Sequence, residues 1–420
     1  MITTRLLRHI SATRCLRLLK GNATLTRADM ARALNQTRAS IGHAVAELVA
    51  AGLVLDAPAP TTPRIGRPGL GLCLNPQGAS FLGVEMDTRA ISAVVLNLDM
   101  TVAHRLVQPV NDTTPEAMQA QIARMAQALA LRCNPARIHG IGIAVPGLGG
   151  RSGQVVNAPL LGWRDVPLQQ RLTHALPATW AVEVSNDAFA FASADLTSAD
   201  PTSADPTRAD PTRADLTSAD LTRADLASAD LTRADLTISP HPANLLMVLL
   251  AEGIGAALVA DGRLIAGAHG FAGELGHMVI TVHGRTAPFE DFVGAAGFAD
   301  LIGQGRSLAE GVAQLLANPS VATTAIALWA EALALGLVNA AHLFDPDQIV
   351  LGGPLSEIFP LVAAQVDAHI ARRMLPGQAR PTLRLARLGA DGTTSLAAAI
   401  GAAALLRARL FTLPDLADPP

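Results

Sequence analysis

Five side chains near position 40 have the chemistry needed to read the edges of DNA bases. The segment QTRASIGHAVAELVAAG, residues 36–52, has apolar residues at helical spacing and therefore predicts a helix. Glutamine and arginine can each form paired hydrogen bonds, with adenine and guanine respectively. At the N-terminal end of a helix in the major groove, such side chains face the bases. The candidates are Gln36, Thr37, Arg38, Ser40 and His43, although His43 could equally cap or pack.

The elements before this segment complete a predicted helix-turn-helix. Residues 5–19 have leucine and isoleucine on a helical repeat. The segment TLTRADMARALN predicts a second, shorter helix with Thr26 as its N-cap. Arg27, at the start of that helix, is a further candidate DNA contact. Gly52 lies where the third helix is expected to end.

A hairpin wing and a positive charge extend this prediction to residues 1–76. Two apolar runs flank a proline- and glycine-rich tip in LVLDAPAPTTPRIGRPGLGLCLN, where Arg64 and Arg67 suit phosphate or minor-groove contacts. Residues 1–76 contain ten basic and three acidic residues, whereas the whole chain has a net charge of −3. Small helical domains with some arginine are common, but the charge and the order of elements favour a DNA-binding domain.

Composition excludes several other classes of protein. The 420 residues are half hydrophobic and sufficient for two or three domains. Three widely spaced cysteines, Cys15, Cys73 and Cys133, allow neither a disulfide framework nor a Cys-x-x-Cys metal site. No long uncharged apolar run predicts a transmembrane helix, and basic residues interrupt the first 30 positions, unlike a signal peptide. We therefore expect a cytoplasmic protein without a membrane partner.

From Phe81 onward, short apolar strands alternate with helical segments, which predicts an α/β body. Five segments of this body occur in an order that resembles the ROK family of sugar kinases and their transcriptional-repressor relatives. The segments are GIGIAVPGLGGRSGQVVNAPLLGW, VEVSNDAFA, VADGRLIAGAHGFAGELGHMVI, QIVLGGPLS and LGADGTTSLAAAIGAAALL. The basic head also resembles the winged helix of the family's repressors. The resemblance implies an actin-like, ribonuclease-H-like body with an N-terminal lobe at 77–193 and a C-terminal lobe with a terminal helix at 238–420.

The resemblance also assigns a sugar pocket. Asp187 stands at the position of the family's catalytic base, and Asn186 beside it would bind sugar hydroxyls. Glu274 and His277 match the family's sugar contacts, and Glu290 matches a further one. The alternative for Asn186 and Asp187 is a strand-to-helix cap, because both residue types favour N-caps.

Other positions depart from the kinase pattern. The family's phosphate turn Asp-x-Gly-Gly-Thr is replaced by EMDTR, residues 85–89, and Glu252 replaces a small or hydroxyl residue in LLAEGIG. Carboxylates at both turns would repel a triphosphate, so we expect no ATP binding and no kinase activity. The family's zinc-ligating cysteine positions hold Thr281, His283 and Pro288, so we expect no zinc and no other cofactor.

A five-residue repeat, Ala-Asp-(Leu/Pro)-Thr-x, occupies residues 194–237 and interrupts the body. It superficially resembles pentapeptide-repeat proteins, but 44 residues would give only about two coils of a β-helix. The repeat predicts either a polar surface loop or a short β-helical or helical protrusion.

Together these patterns predict a DNA-binding transcriptional regulator, a repressor of carbohydrate metabolism that senses a sugar or a sugar phosphate. Its partners would be a double-stranded DNA operator and a second copy of the chain, because winged heads read paired half-sites as dimers or higher homo-oligomers. Two alternatives stay open at this point: an ATP-dependent ROK sugar kinase, and a DNA-binding regulator that has lost effector binding.

Overall fold

A computed structural model describes residues 4–20, 24–58, 70–149, 152–197, 244–302, 308–387 and 396–412. The helices in these ranges are α1 Thr4–Lys20, α2 Arg27–Ala33, α3 Arg38–Ala50, α4 Pro115–Ala130, α5 Leu168–Ala175, α6 Asp187–Thr197, α7 Glu290–Val293, α8 Ala295–Ile302, α9 Leu308–Ala317, α10 Thr323–Phe344, α11 Phe359–Arg373 and α12 Ala397–Arg409.

The strands begin in the head and continue through both lobes of the body. They are β1 Leu25–Thr26, β2 Val54–Ala57, β3 Gly71–Leu74, β4 Ser80–Met86, β5 Ala90–Asn97, β6 Val102–Pro109, β7 Ile138–Val145, β8 Leu148–Gly149, β9 Val155–Ala158, β10 Trp163–Val166, β11 Ala181–Asn186, β12 Leu245–Leu250, β13 Ile254–Ala260, β14 Arg263–Ile265, β15 Val279–Val282, β16 Arg285–Pro288, β17 Gln348–Gly352 and β18 Thr382–Leu385.

The head combines α1, α2 and α3 with a three-stranded sheet in the order β1-β3-β2, the arrangement of a winged helix. Thr26 caps α2 as the sequence predicts: its hydroxyl accepts a hydrogen bond from the Asp29 amide, and the Asp29 carboxylate accepts one from the Thr26 amide. Gly52 has a φ of 74°, the left-handed conformation expected just after a helix. Val49, one of the apolar residues at helical spacing in α3, is 40% exposed and lies outside the buried face of the helix. The wing tip with Arg64 and Arg67 lies outside the described residues.

Two five-stranded sheets with the same strand order form the body, which confirms the predicted α/β fold. The orders are β11-β7-β4-β5-β6 and β14-β13-β12-β17-β18. In each sheet the first three strands in sequence pair antiparallel and the last two add in parallel. The turns after β4 and β12, the first strand of each sheet, therefore occupy equivalent positions in the two lobes.

Helix α12 packs against the first sheet and α6 through glycine contacts. A Cβ at Gly83 would lie 1.9 Å from the Ala399 carbonyl oxygen, and one at Gly401 would lie 1.6 Å from the Ala190 carbonyl oxygen. Any side chain at these two glycines would separate the helices and strands that they join. The alanine-rich sequence of α12 thus has a packing reason, because only small residues allow such a close approach.

Helix α10 forms the centre of the second lobe's core. Trp329, Leu333 and Leu337 are buried there against strands of the second sheet. In the described part of the chain α10 is the one helix that is long and apolar enough to span a bilayer. Most of its apolar residues are buried in this core.

Helix α6 continues into the segment assigned to the repeat insertion. Ala194 and Asp195 lie within α6 and are buried, so residues 194–197 are the helix's last turn and not the start of a protruding loop. The Asp195 carboxylate accepts hydrogen bonds from both terminal nitrogens of Arg384 on β18, at 3.1 and 2.6 Å. The remainder of the predicted insertion, through residue 237, lies outside the described residues.

The head and the body share one hydrophobic cluster. Residues of α1 and α3, such as Leu16 and Val45, belong to the same contiguous core as Phe81 of β4 and Ala403 of α12. At the end of α12 the Phe411 carbonyl accepts a hydrogen bond from Arg17 of α1. The head is therefore packed onto the first lobe rather than tethered beside it.

Candidate functional site

Asn186 and Asp187 lie where β11 ends and α6 begins, and both cap the helix. The Asn186 side-chain oxygen accepts hydrogen bonds from the amides of Ala188 and Phe189 at 2.9 and 3.2 Å, and its amide nitrogen donates to the Gly147 carbonyl at 3.0 Å. The Asp187 carboxylate accepts from the Ala188 amide at 2.7 Å. Asn186 thus follows the capping alternative and holds two segments of the first lobe together.

The environment of Asp187 favours its protonated form. The pKa of Asp187 is raised to about 7, mainly by burial, and the nearby Glu274 carboxylate acts in the same direction. Strand β13 passes beside this group, since a Cβ at Gly255 would lie 3.9 Å from an Asp187 oxygen. A carboxyl group with this pKa can accept or donate a proton near neutral pH.

Glu274, His277 and Glu290 lie together on the second lobe. The His277 ring nitrogens are 3.6 Å from Glu274 and 3.8 Å from Glu290. A second oxygen of Glu290 accepts a hydrogen bond of 3.4 Å from the Ile254 amide in the turn after β12. Burial raises the pKa of Glu274, with His277 acting in the opposite direction. The fold thus brings these three residues together and brings Glu274 close to Asp187.

Glu85 is a site residue that sequence reasoning assigned only to a lost phosphate turn. It lies near the end of β4, where its carboxylate is close to the amides of Ala398 and Ala399 at the start of α12, which act to lower its pKa. Its Oε2 atom is buried and has no hydrogen-bond partner among the described residues. Burial raises the pKa of Glu85 to about 8, and Asp187 contributes to the same direction. The signal available in the sequence was a carboxylate at the end of an otherwise apolar strand.

Arg89 and Glu252 join the two lobes across the site. Arg89 follows β4, Glu252 follows β12, and their side chains form an ion pair of 2.8 Å. The expectation of a free Glu252 charge at this turn is therefore corrected, because the arginine neutralises it. Asp87 binds its own turn instead, accepting a hydrogen bond of 2.6 Å from the Thr88 amide.

The residues at the family's zinc position pair with one another and with α10. Thr281 and Thr286 hydroxyls form a cross-strand hydrogen bond of 2.8 Å between β15 and β16. His283 contacts Glu331 of α10 at 3.0 Å, and Arg373 contacts the same carboxylate at 3.1 Å. Within the described ranges no group of three or more His, Cys, Asp or Glu side chains is arranged to hold a metal ion. These residues do not fit a closed zinc site, which needs four ligands.

The candidate DNA contacts lie along the start of α3. Thr37 is its N-cap and accepts a hydrogen bond of 3.2 Å from the Ser40 amide, while the Ser40 hydroxyl donates to Gln36 at 3.3 Å. Arg38 and His43 are exposed, and Arg27 at the start of α2 is half-buried. The opposite face of α3 is buried in the head's core. The helix therefore presents polar side chains outward from a fixed position.

A fold of two ribonuclease-H-like lobes with a polar cleft and a winged-helix head defines a class that comparison with known proteins identifies. The sequence profile of the ROK family matches residues 81–202 and 222–409, which is more than half of the chain. The chain belongs to the ROK family, as the resemblance indicated. A profile of pentapeptide repeats matches residues 191–226 in eight copies, and the first seven of these residues are α-helical.

Two relatives that are similar over most of the chain carry repressor names. A putative xylose repressor of Caldicellulosiruptor sp. (strain Rt8B.4) is 22% identical and covers 98% of both chains. The xylose repressor of Bacillus spizizenii is 20% identical and covers 84% of this chain and 85% of its own. An N-acetyl-D-glucosamine kinase of Mannheimia succiniciproducens is 28% identical over only 37% of this chain.

Among solved structures, too, a regulator covers nearly the whole chain, whereas a kinase covers a smaller part of it. A ROK family transcriptional regulator homologous to the E. coli MLC protein covers 97% of both chains with a TM-score of 0.72 at 20% identity. A ROK family glucokinase from Streptomyces griseus covers all of its own chain but 79% of this one, with a TM-score of 0.57 at 19% identity. The regulator's fold thus accounts for nearly the whole chain, including the head.

Proposed function

We propose that this protein is a DNA-binding transcriptional repressor of carbohydrate metabolism whose ROK body is a sugar sensor and not an enzyme. The observation that carries the proposal is the winged-helix head, whose α3 exposes Arg38 and His43 and whose core is continuous with the body. The putative xylose repressor covers 98% of this chain and the regulator structure covers 97%, so both extend over this head. The glucokinase structure is matched over its entire length, yet it covers only 79% of this chain.

The sensor site in this proposal contains Asn186, Asp187, Glu274, His277 and Glu290. Carboxylates and an imidazole that face one cleft can satisfy several hydroxyl groups of a polyol. A bound sugar would change operator affinity only if it bound the DNA-competent and DNA-incompetent forms unequally. The protein would act in the cytoplasm, on a double-stranded operator, as a homodimer or higher homo-oligomer whose two heads read paired half-sites.

The DNA-binding part is tested with an operator identified by genome-wide mapping of bound fragments. Arg38→Ala removes an exposed guanidinium at the start of α3, and we expect operator affinity to fall about 5- to 150-fold, the range for losing one good base contact. The matched control is Arg164→Ala, which removes an exposed arginine from β10 of the body. Equal affinities for Arg38→Ala and Arg164→Ala across a range of salt concentrations would contradict α3 as the reading helix.

Two alternatives are distinguished by titration and by a coupled kinase assay. Isothermal titration with monosaccharides and their phosphates separates a sensor from a regulator that has lost its effector. A kinase role is favoured by Asp187, since a pKa of about 7 suits a general base. It is opposed by the Arg89–Glu252 ion pair, which links the two turns that hold phosphates in the family's kinases. Turnover of any hexose with ATP at about 1 s⁻¹ or faster would establish the kinase alternative.

A further inference from the structure

Six carboxylates from both lobes surround the cleft of the proposed sensor. This carboxylate ring consists of Glu85, Asp87, Asp187, Glu252, Glu274 and Glu290. After burial, repulsion from Asp187 and Asp87 raises the pKa of Glu85, and repulsion from Glu274 and Asp87 raises that of Asp187, so these groups are near one another. Glu274 and Glu290 flank His277, and Glu290 binds the amide two residues after Glu252. The ring is therefore continuous from one lobe to the other.

The basic side chains that contact this ring in the described part of the chain already have carboxylate partners. Arg89 is bound by Glu252 at 2.8 Å, with 52% of the arginine side chain exposed and 30% of the glutamate. His277 lies between Glu274 and Glu290. A proton on either Glu85 or Asp187 still leaves the cleft with more negative than positive charge. An anionic ligand would have to compete for the same basic side chains.

The helix ends that could otherwise attract a phosphate are also occupied. Helix N-termini bind anions through their free amides and their partial positive charge. At α6 the amides of Ala188 and Phe189 donate to Asn186 and Asp187. At α12 the Glu85 carboxylate lies beside the amides of Ala398 and Ala399, which act to lower its pKa. The chain's own side chains therefore take up the donors that phosphate oxygens would need.

We propose that the effector is an unphosphorylated sugar and that the Arg89–Glu252 ion pair and the two capped helix ends exclude phosphorylated sugars from the cleft. This inference rests on the sensor role proposed above and selects one of its two ligand classes. Neutral hydroxyl groups donate hydrogen bonds to carboxylates and accept them from a protonated Glu85 or Asp187 or from His277. A phosphate dianion has no proton to donate to a carboxylate, and it adds two negative charges to the ring.

Calorimetric titration of the full-length protein with matched ligand pairs tests the inference. The probes are D-xylose with D-xylose 5-phosphate and D-glucose with D-glucose 6-phosphate. A charge within about 4–6 Å shifts a neighbouring ionisation by roughly one to three pKa units, and repulsion between like charges is of comparable size, so we expect each phosphate to bind at least about tenfold more weakly than its parent sugar. A phosphate that binds as tightly as its parent sugar, or more tightly, overturns the inference.

The variant Glu252→Gln tests the Arg89–Glu252 ion pair separately from the protein's overall negative charge. This substitution frees the Arg89 guanidinium, so the ratio of the affinity for a sugar to the affinity for its phosphate should fall by about tenfold or more. Asp367→Asn is the matched control, because it removes a carboxylate that pairs instead with Arg380 at 3.9 Å on the second lobe; this variant should keep the wild-type ratio. If Glu252→Gln keeps the wild-type ratio of sugar affinity to phosphate affinity, the ion pair does not determine this selectivity.

Failure of this inference can be distinguished from failure of the proposed function. If the protein binds its operator but neither member of any pair, the sensor role fails, and this inference fails with it. If it binds a sugar better than the phosphate but has no operator, the regulator role fails while the selectivity inference stands.

Discussion

The buried carboxyl of Glu85 should make the protein's stability depend on pH in a defined direction. Its pKa is raised from 4.5 to about 8, first by burial and then by Asp187, with Asp87 adding to the shift and the amides of Ala398 and Ala399 opposing it. A carboxyl that binds its proton more tightly when folded stabilises the folded state at low pH. That contribution is fully present below about pH 4.5 and is lost as the pH rises through about 8.

Replacing Glu85 with glutamine should remove this loss. Each pKa unit corresponds to about 1.4 kcal/mol, so the shift of Glu85 sets an upper limit of about 5 kcal/mol, and we expect about 2–3 kcal/mol because part of the residue reaches solvent. Glutamine keeps an oxygen for the α12 amides and carries no charge. Below about pH 4.5 the variant and the wild type should unfold at similar temperatures, whereas at pH 9 the variant should be the more stable protein by several degrees.

Differential scanning calorimetry of both proteins at about pH 4.5, 6, 7, 8 and 9 measures this difference. Asp367→Asn is the control, since it neutralises an exposed carboxylate outside the ring. The stabilisation of Glu85→Gln should grow with pH, and that of Asp367→Asn should not. A Glu85→Gln effect that is independent of pH, or that turns destabilising above pH 8, would refute the assignment of a buried, strained carboxyl.

Two further predictions concern the contacts at the other ends of α6 and α12. Asp195→Ala should destabilise the protein by about 3–5 kcal/mol in urea unfolding, because it leaves the partly buried Arg384 without its carboxylate; equal stability would contradict the pair's structural role. Phe411→Ala removes the ring beside Arg407 but keeps the backbone carbonyl that binds Arg17; it should leave sugar and operator affinities within about threefold of wild type but reduce the effect of sugar on operator binding, and full retention of that effect would exclude the ring contact from the coupling.

Local patterns predicted the head and part of the site well. The capping box at Thr26 and the periodicity of residues 36–52 depend on neighbours within four positions, so they are visible in a sequence. The family motif around Glu274 and His277 likewise predicted side chains that lie together. The roles proposed for these residues in ligand binding stay predictions.

Features set by distant contacts were not predictable in the same way. Arg89 and Glu252 are separated by 163 positions, and their pairing depends on the closure of two lobes. Asp195 has the composition of the repeat that follows it, so nothing local distinguished a buried helical turn from an insertion. The structure identifies a buried helical turn because Arg384 of β18, 189 positions away, binds the Asp195 carboxylate.

Helix α12 connects the candidate site with the head through contacts at both of its ends. Its first amides lie beside Glu85 of the carboxylate ring, while near its last turn Arg407 donates a hydrogen bond of 2.6 Å to the Leu98 carbonyl and lies 4.8 Å from the Phe411 ring. Phe411 in turn accepts a hydrogen bond from Arg17 of α1. Because glycine contacts leave no space between α12 and its neighbours, a ligand that altered the hydrogen bonding of Glu85 would act on a helix that moves as a unit.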